Sequence, residues 1–310
     1  MIYKHIIRPL LFKMNAEDVH DLSVQFLKHF PLQNQFEAKP KQVAGITFPN
    51  PIGLAAGFDK NAELINVIHK LGFGFIEVGT ITPFPQQGNP KPRLFRNAKD
   101  QSIINKMGFN NDGLRVITKR LEKRNTNIII GANLGVGVNT PIAFAHRDYQ
   151  FSFYTLQDLA DYFTLNVSSP NTIGLRDLMQ KDKLSFILQV VMNENRNRAK
   201  EKPIFLKISP DLNDDELKDV LDICIEFGIK GIVATNTTLT EQGGLSGLPL
   251  EEKSREIIKK IKTYCDLPII GSGGIMTPEI AKSRFDIGCD LIQLYSGLIY
   301  NGPYFAKELL

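Results

Sequence analysis

Between Val43 and the C-terminal end, this chain alternates between two hydrophobic periods. Short β-branched or aromatic runs span Ile52 to Ala56, Phe75 to Val78, Ile128 to Leu134, Tyr162 to Val167, Ile204 to Ile208, Gly231 to Thr235, Leu267 to Gly271 and Leu291 to Leu294. Between them, apolar residues recur at helical spacing over Leu64 to Leu71, Leu114 to Leu121, Leu184 to Val191, Leu217 to Phe227, Ile257 to Tyr264 and Ile280 to Ile287. Continuous apolar runs of strand length, separated by amphipathic helices, mark a parallel sheet buried on both faces. About eight such units predict closure into a (β/α)₈ TIM barrel of about 250 residues, which 310 residues accommodate with a segment to spare. Ile46 to Phe48 reads as a small closing strand. Periodicity does not establish closure, so a doubly wound open sheet is the alternative architecture.

The spare segment is N-terminal. Ile2, Ile6, Ile7, Leu10, Leu11 and Met14 form one helical stripe, among Lys4, His5, Arg8 and Lys13. Val19, Leu22, Phe26, Leu27 and Phe30 form a second, with Asn15 or Asp18 as its cap. Residues 1–40 are therefore expected to be an amphipathic helical hairpin, with a linker from Pro31 to Lys41, and 41–310 a barrel. The hairpin either packs on the barrel core or rests its apolar face on a membrane surface.

Composition narrows the function classes. The net charge of +4 comes without dense Lys/Arg clusters, so a nucleic-acid partner is not expected. Cys224, Cys265 and Cys289 are far apart and lack metal-ligand spacing, which predicts reduced thiols, no metal and a cytosolic setting. No apolar run reaches the roughly 18 residues of a membrane span, and no signal peptide is apparent.

In a barrel, chemistry collects on the loops at the carboxyl ends of the strands. Reading only those ends gives Ala56 to Lys60, Gly79-Thr80, Asn133, Asn166 to Thr172, Lys207, Thr235-Asn236-Thr237, Gly271 to Gly274 and Tyr295-Ser296-Gly297. The polar residues converge on one rim. Gly271-Ser272-Gly273-Gly274 offers exposed backbone N–H groups to an anion, and with the Tyr295-Ser296-Gly297 segment it suits a phosphate-bearing cofactor. Lys207 closes a buried strand, as an ion-pair partner or as a cation facing an electron-rich flavin edge. Lys60 follows a glycine turn and suits either solvation or a substrate carboxylate. Asn105, Lys106, Met107, Gly108, Phe109, Asn110 and Asn111 bring three amides around a glycine, which suits a planar heterocycle. Arg93 and Arg96 read as surface or ion-pair residues.

Several segments carry a resemblance across nearly the whole chain. Leu54 to Lys60, Glu77 to Thr80 with Thr82-Pro83, Pro92 to Arg96, Asn105 to Asn111, Asn166 to Arg176, Ala234 to Thr238, Gly243 to Gly247 and Gly271 to Ile275 together resemble class 2 dihydroorotate dehydrogenase. The resemblance implies an FMN enzyme of de novo pyrimidine synthesis that oxidises (S)-dihydroorotate to orotate and passes electrons to a membrane quinone. It implies that Ala56, Gly57, Thr80, Asn133, Asn166, Lys207, Thr235, Gly247, Gly274, Tyr295 and Ser296 hold FMN. Lys60, Asn105, Lys106, Met107, Gly108, Phe109, Asn166, Asn171, Asn236 and Thr237 would surround the substrate. Ser169 would be the catalytic base, with Thr172 as the nearest candidate for its relay.

The serine also implies the subclass, because class 1 relatives carry cysteine there. In class 2 two such helices shape a quinone tunnel, whose polar lining His20, Arg96 and Tyr295 resemble. The implied protein is a monomer held peripherally on the cytoplasmic side of the cell membrane, in contact with its lipid. Some positions depart from the family pattern: Gly135-Val136-Gly137-Val138 lacks two common cations, Ile173 replaces a proline and Lys106 an arginine, and Thr240 to Gly243 is short. A class 1 or dihydropyrimidine-type flavin barrel, a non-catalytic flavin-binding barrel and a phosphate-sugar isomerase or aldolase are the competing functions.

Overall fold

The computed structural model describes residues 2–29, 39–171 and 174–310. Its centre is a closed barrel of eight parallel strands: β1 (Ile52–Leu54), β2 (Phe75–Ile81), β3 (Ile129–Leu134), β4 (Tyr162–Asn166), β5 (Ile204–Ile208), β6 (Gly231–Ala234), β7 (Ile269–Ser272) and β8 (Leu291–Leu294). They pair in sequence order, and β8 returns to β1 through Ile292 opposite Ile52. Closure rules out the open-sheet alternative. The expected strands are all present, with ends shifted by two residues or fewer apart from the longer β2.

The barrel floor explains why closure is stable. Phe75, Tyr162 and Phe205 fill the interior, where a Cβ on Gly53 would meet the Phe75 ring at 2.2 Å, one on Gly131 would meet Tyr162 at 2.1 Å, and one on Gly231 would meet Phe205 at 2.4 Å. Each large ring fits because the neighbouring strand presents no side chain, the large-and-small alternation a tapering barrel requires. A hairpin of Lys41–Val43 with Ile46–Phe48 plugs this end, and Phe48 meets Phe75 edge to face at 5.1 Å. Burying an aromatic side chain here contributes roughly 1.5–3 kcal/mol.

The helices follow the pattern with one correction. Leu114–Leu121 is as expected, and the other stretches extend to Lys181–Arg196, Asp214–Phe227, Glu251–Tyr264 and Pro278–Asp286. Leu64 to Leu71 holds only a 3₁₀ turn at Ile68–Leu71. Its apolar residues are still buried, but Asp59 accepts from the backbone of Asn61, Glu63 and Leu64 and fixes a folded turn in place of a helix start. The periodicity did not reveal the helix Ala145–Leu156, nor a four-stranded antiparallel sheet over the barrel mouth. Leu94–Asn97, Ser102–Asn105, Thr238–Thr240 and Gly243–Gly247 form that sheet.

The N-terminal segment is helical over Tyr3–Ile7, Arg8–Leu11 and Ala16–His29. Asn15 caps the last of these by accepting from Glu17 N at 2.9 Å. Val24 and Leu27 join the main core, whereas Ile6, Leu10, Leu22 and Phe26 remain exposed. The linker expected between Pro31 and Lys41 falls mostly outside the described residues, as does Phe30. No helix among the described residues is long and apolar enough to cross a membrane.

Candidate active site

The carboxyl ends of the strands open into a polar cavity, and beneath its lining lies a buried carboxylate. Glu77 Oε1 accepts from Asn133 Nδ2 at 2.7 Å, and Oε2 accepts from Gln293 Nε2 at 2.8 Å, Thr164 Oγ1 at 3.0 Å and Tyr162 OH at 3.3 Å. A buried carboxylate is tolerable only when its lone pairs are so matched. Above it, Thr80 Oγ1 donates to Asn133 Oδ1 at 2.6 Å, Asn166 Nδ2 donates to Thr80 Oγ1 at 3.0 Å, and Asn236 Nδ2 donates to Asn166 Oδ1 at 3.2 Å. This chain of bonds fixes the amides relative to one another.

Lys207 is the penultimate residue of β5, paired with Asn166, and its side chain is buried at the cavity wall. Burial pulls its ammonium below the usual lysine range, and the Glu77 charge opposes the shift. Glu77 and Gln293 were not singled out from sequence. The available signal was a charged residue inside the apolar run Phe75-Ile76-Glu77-Val78 and an amide inside Leu291-Ile292-Gln293-Leu294.

Most of the expected residues meet in this cavity. Ala56, Gly57, Lys60, Thr80, Asn166, Lys207, Thr235, Gly247, Gly274, Tyr295 and Ser296 line it. Asn105, Met107, Gly108, Phe109, Ser169, Asn171, Asn236 and Thr237 line it as well. Asn133 lies one layer below, bonded to Glu77. Lys106 does not join them: its side chain is exposed, while its backbone N–H donates to Arg93 O at 2.8 Å. Ser169 is 5% exposed, and its Oγ accepts from Asn171 N at 3.3 Å. Asn171 Nδ2 donates to Asn105 Oδ1 at 2.8 Å, which ties the serine loop to the mouth sheet. Thr172 and Ile173 lie outside the described residues.

The chemistry of the lining fits a phosphorylated planar cofactor. Gly273 and Gly274 have φ of +106° and +72°, conformations open to glycine, and a Cβ on Gly274 would strike Glu251 Cα at 2.3 Å. Ser246 and Ser296 pair their hydroxyls at 2.9 Å beside this loop, and the buried Thr235 Oγ1 has no protein partner among the described residues. Among those residues, no cluster of His, Cys, Asp or Glu is grouped for a metal ion. Cys224 and Cys289 are buried and free, and burial pushes the Cys289 thiol up to about 12.

A second cavity lies between the N-terminal hairpin and the barrel. It is larger, about 480 Å³ against about 150 Å³, and mostly apolar, with Val19, Leu22, Phe26 and Leu298 in its walls. His20 and Arg96 supply polar atoms to it. Arg96 donates to Met14 O at 2.6 Å and stacks over Phe12 at 4.5 Å. Tyr295, expected in both linings, is placed in the polar cavity, with its ring 5.9 Å from Phe58 in the apolar one. Arg93 is the ion-pair residue the sequence suggested: it is buried and grips both oxygens of Glu17, at 2.6 and 3.1 Å.

The cavities meet at one pair. Lys60 Nζ lies 3.3 Å from His20 Nε2, so a residue of the polar site touches one of the apolar site. Burial lowers the Lys60 ammonium to about 8, against the opposing charges of Asp21 and Glu17. Burial, and then Lys60, hold the His20 imidazole well below its usual range and so neutral.

A family model described as dihydroorotate dehydrogenase matches residues 40–310. A protein of Christiangramia forsetii named dihydroorotate dehydrogenase (quinone) is 46% identical, with 99% of this chain and 97% of that protein covered. One of the same name from Legionella pneumophila is 42% identical over 98% of this chain and 97% of its own. Among solved structures, DHODH of Eimeria tenella in complex with ferulenol superposes with a TM-score of 0.91 at 36% identity, covering 98% of this chain and 92% of that one. The ligand-free form gives 0.87 at 38%, covering 94% and 91%.

Proposed function

The chain belongs to the dihydroorotate dehydrogenase family, and from that premise we propose that it oxidises (S)-dihydroorotate to orotate with FMN and delivers the electrons to a membrane quinone, as a step of pyrimidine synthesis. The single observation that carries this reading is the pair of adjoining cavities, one polar with Ser169 in its wall and one apolar under the hairpin. A class 1 enzyme has no use for the second cavity, and no cysteine lines the first.

In this reading FMN, when bound, supplies the hydride acceptor. Ala56, Gly57, Thr80, Asn166, Lys207, Thr235, Gly247, Gly274, Tyr295 and Ser296 would hold it, with Asn133 supporting Thr80 and Asn166 from below. Asn105, Asn171, Asn236 and Thr237 would hold the pyrimidine flat, and Lys60 would take its carboxylate; Met107, Gly108 and Phe109 close the site. Ser169 would accept the C5 proton as the C6 hydride leaves. A hydroxyl is a weak base, so the proton must pass onward, and the dry, fixed loop raises the serine's effectiveness by orientation.

The exposed apolar residues Ile6, Leu10, Leu22 and Phe26 would contact lipid peripherally on the cytoplasmic side, as a monomer, and admit quinone between the helices. The test is anaerobic. Dihydroorotate should bleach the flavin, and a short-chain quinone should then reoxidise it faster than fumarate does. A preference for fumarate would remove the quinone assignment, and a yellow protein that never bleaches would remove the reaction.

A further inference from the structure

At the Gly273-Gly274 end of the polar cavity, no cationic side chain bonds the loop from within the lining among the described residues. Lys60 and Lys207 are the charged residues of its lining, and among the described residues neither hydrogen-bonds to the Gly273-Gly274 loop. A phosphate dianion there would meet only backbone and hydroxyl groups.

Behind the loop, however, lies Arg284, on the helix Pro278–Asp286, with 0% of its surface exposed. Its Nη2 donates to Gly273 O at 3.1 Å and Glu251 O at 2.8 Å. Nε and Nη1 have no protein acceptor among the described residues. Unmatched buried donors cost stability, so packing alone does not account for an arginine at this position. Glu251 Oε1 lies 3.4 Å from Arg284 but is shared with Arg255 at 3.6 Å, so it does not cancel both guanidinium charges.

The geometry determines where the neighbouring N–H groups go. In a trans peptide, C=O and N–H point in opposite directions, and the Gly273-Gly274 peptide is not among the cis bonds. Drawing Gly273 O back to Arg284 therefore sends Gly274 N–H away from it, at a residue that lines the cavity. The preceding peptide is treated alike. Ser272 O accepts from Ser254 Oγ and from Thr235 N, both at 2.7 Å, which turns Gly273 N–H away from those donors. Two successive N–H groups turned from the donors behind the loop are the groups from which an anion nest is made.

We propose that Arg284 is a positioning residue for this nest: by binding the Gly273 carbonyl it aims and polarises the Gly273-Gly274 peptide, so that its N–H donates to the phosphate of the bound flavin. The cation acts on the phosphate through a peptide and touches no ligand atom. The proposal rests on the reading that the cavity takes a flavin bearing a phosphate.

The test compares FMN with riboflavin, which lacks that phosphate, by fluorescence titration of the full-length protein freed of flavin. The wild type should favour FMN strongly. Arg284→Gln should weaken FMN by about 10- to 100-fold, the worth of a charge-assisted hydrogen bond, and leave riboflavin within about twofold. Arg284→Lys, which keeps the charge but loses the fork, should fall between them, and it carries the same comparison if the glutamine variant does not fold. Equal losses for both ligands would reduce Arg284 to a structural residue and overturn the proposal, as would unchanged FMN affinity. A wild type that binds the two flavins equally would overturn the cofactor reading and the proposal with it.

Discussion

The two cavities are built in opposite ways. The polar one is lined from strand ends whose spacing is fixed by a closed ladder, and its side chains are bonded to one another through Glu77, Asn133, Thr80, Asn166 and Asn236. The apolar one is half barrel and half hairpin. It is held by a few attachments: the buried Glu17–Arg93 pair, Tyr3 OH donating to Ile299 O at 2.7 Å, Arg8 to Tyr300 O at 2.9 Å, and Arg96 to Met14 O. A reaction that must place a proton and a hydride within fractions of an ångström needs the first construction. An apolar molecule such as the proposed quinone would be admitted by the second, where walls can part without disturbing the ladder.

This contrast predicts separable damage. Ser169→Ala should slow flavin reduction by dihydroorotate by about 10²- to 10⁴-fold, the range for loss of a positioned base, while quinone reoxidises the reduced protein at an unchanged rate. Stopped-flow of the two half-reactions measures both, and an unaffected reduction rate would remove Ser169 from the mechanism.

Deleting residues 1–40 should cost quinone reduction about tenfold more than flavin reduction, because a second cavity without its helices gives up its apolar contact area. Equal losses would make the hairpin part of the barrel's own stability and dissolve the contrast.

Lys60 sharpens the boundary between the cavities. Its ammonium titrates near 8, and only the charged form attracts a substrate carboxylate. Dihydroorotate kcat/KM should therefore be flat below that pH and fall about tenfold per unit above it. For folding the sign is opposite. Because the folded pKa is depressed from 10.5, the cost of burying the charged lysine is in force at low pH and lessens as pH rises through about 8. A profile flat to pH 10 would exclude Lys60 as the carboxylate partner.

Lys28 bonds Glu63 at 2.6 Å, joining the hairpin to the barrel, but its side chain is about one third exposed. Lys28→Ala should change stability by no more than about 1 kcal/mol and leave both half-reactions intact. A larger loss in thermal unfolding would mean that the hairpin depends on surface pairs more than on the buried Glu17–Arg93 contact.

What was legible followed from local period and termination. Ile204–Ile208 and Leu291–Leu294 were bounded to the residue, because an apolar strand buried on both faces ends abruptly where polar residues begin. Lys207, Asn166 and Thr235 stood out for the same reason: a polar group directly after such a run has to find a partner. Leu64 to Leu71 misled because helical spacing also suits a folded turn once Asp59 has taken up three backbone donors. The mouth sheet was missed because its strands are short, half-exposed and paired across long separations, as Gly244 is with Asn105. Tyr295 was expected in both linings; it lines the polar cavity, and its ring lies 5.9 Å from Phe58 of the apolar one.

The sequence by itself determined the alternation of buried strands and helices, the amphipathic N-terminal stripes and the polar strand ends, because burial imposes periodicity and polarity on each segment independently; closure into a barrel was decided by the tertiary structure. Only the tertiary structure decided that Glu77 bonds Gln293, that Arg93 anchors Glu17, that Lys60 touches His20 and that Arg284 stands behind the glycine loop. Those are contacts between residues 11 to 216 positions apart. Local pattern carries no record of them, because their energies are realised only after the ladder has closed and brought the partners within hydrogen-bond distance.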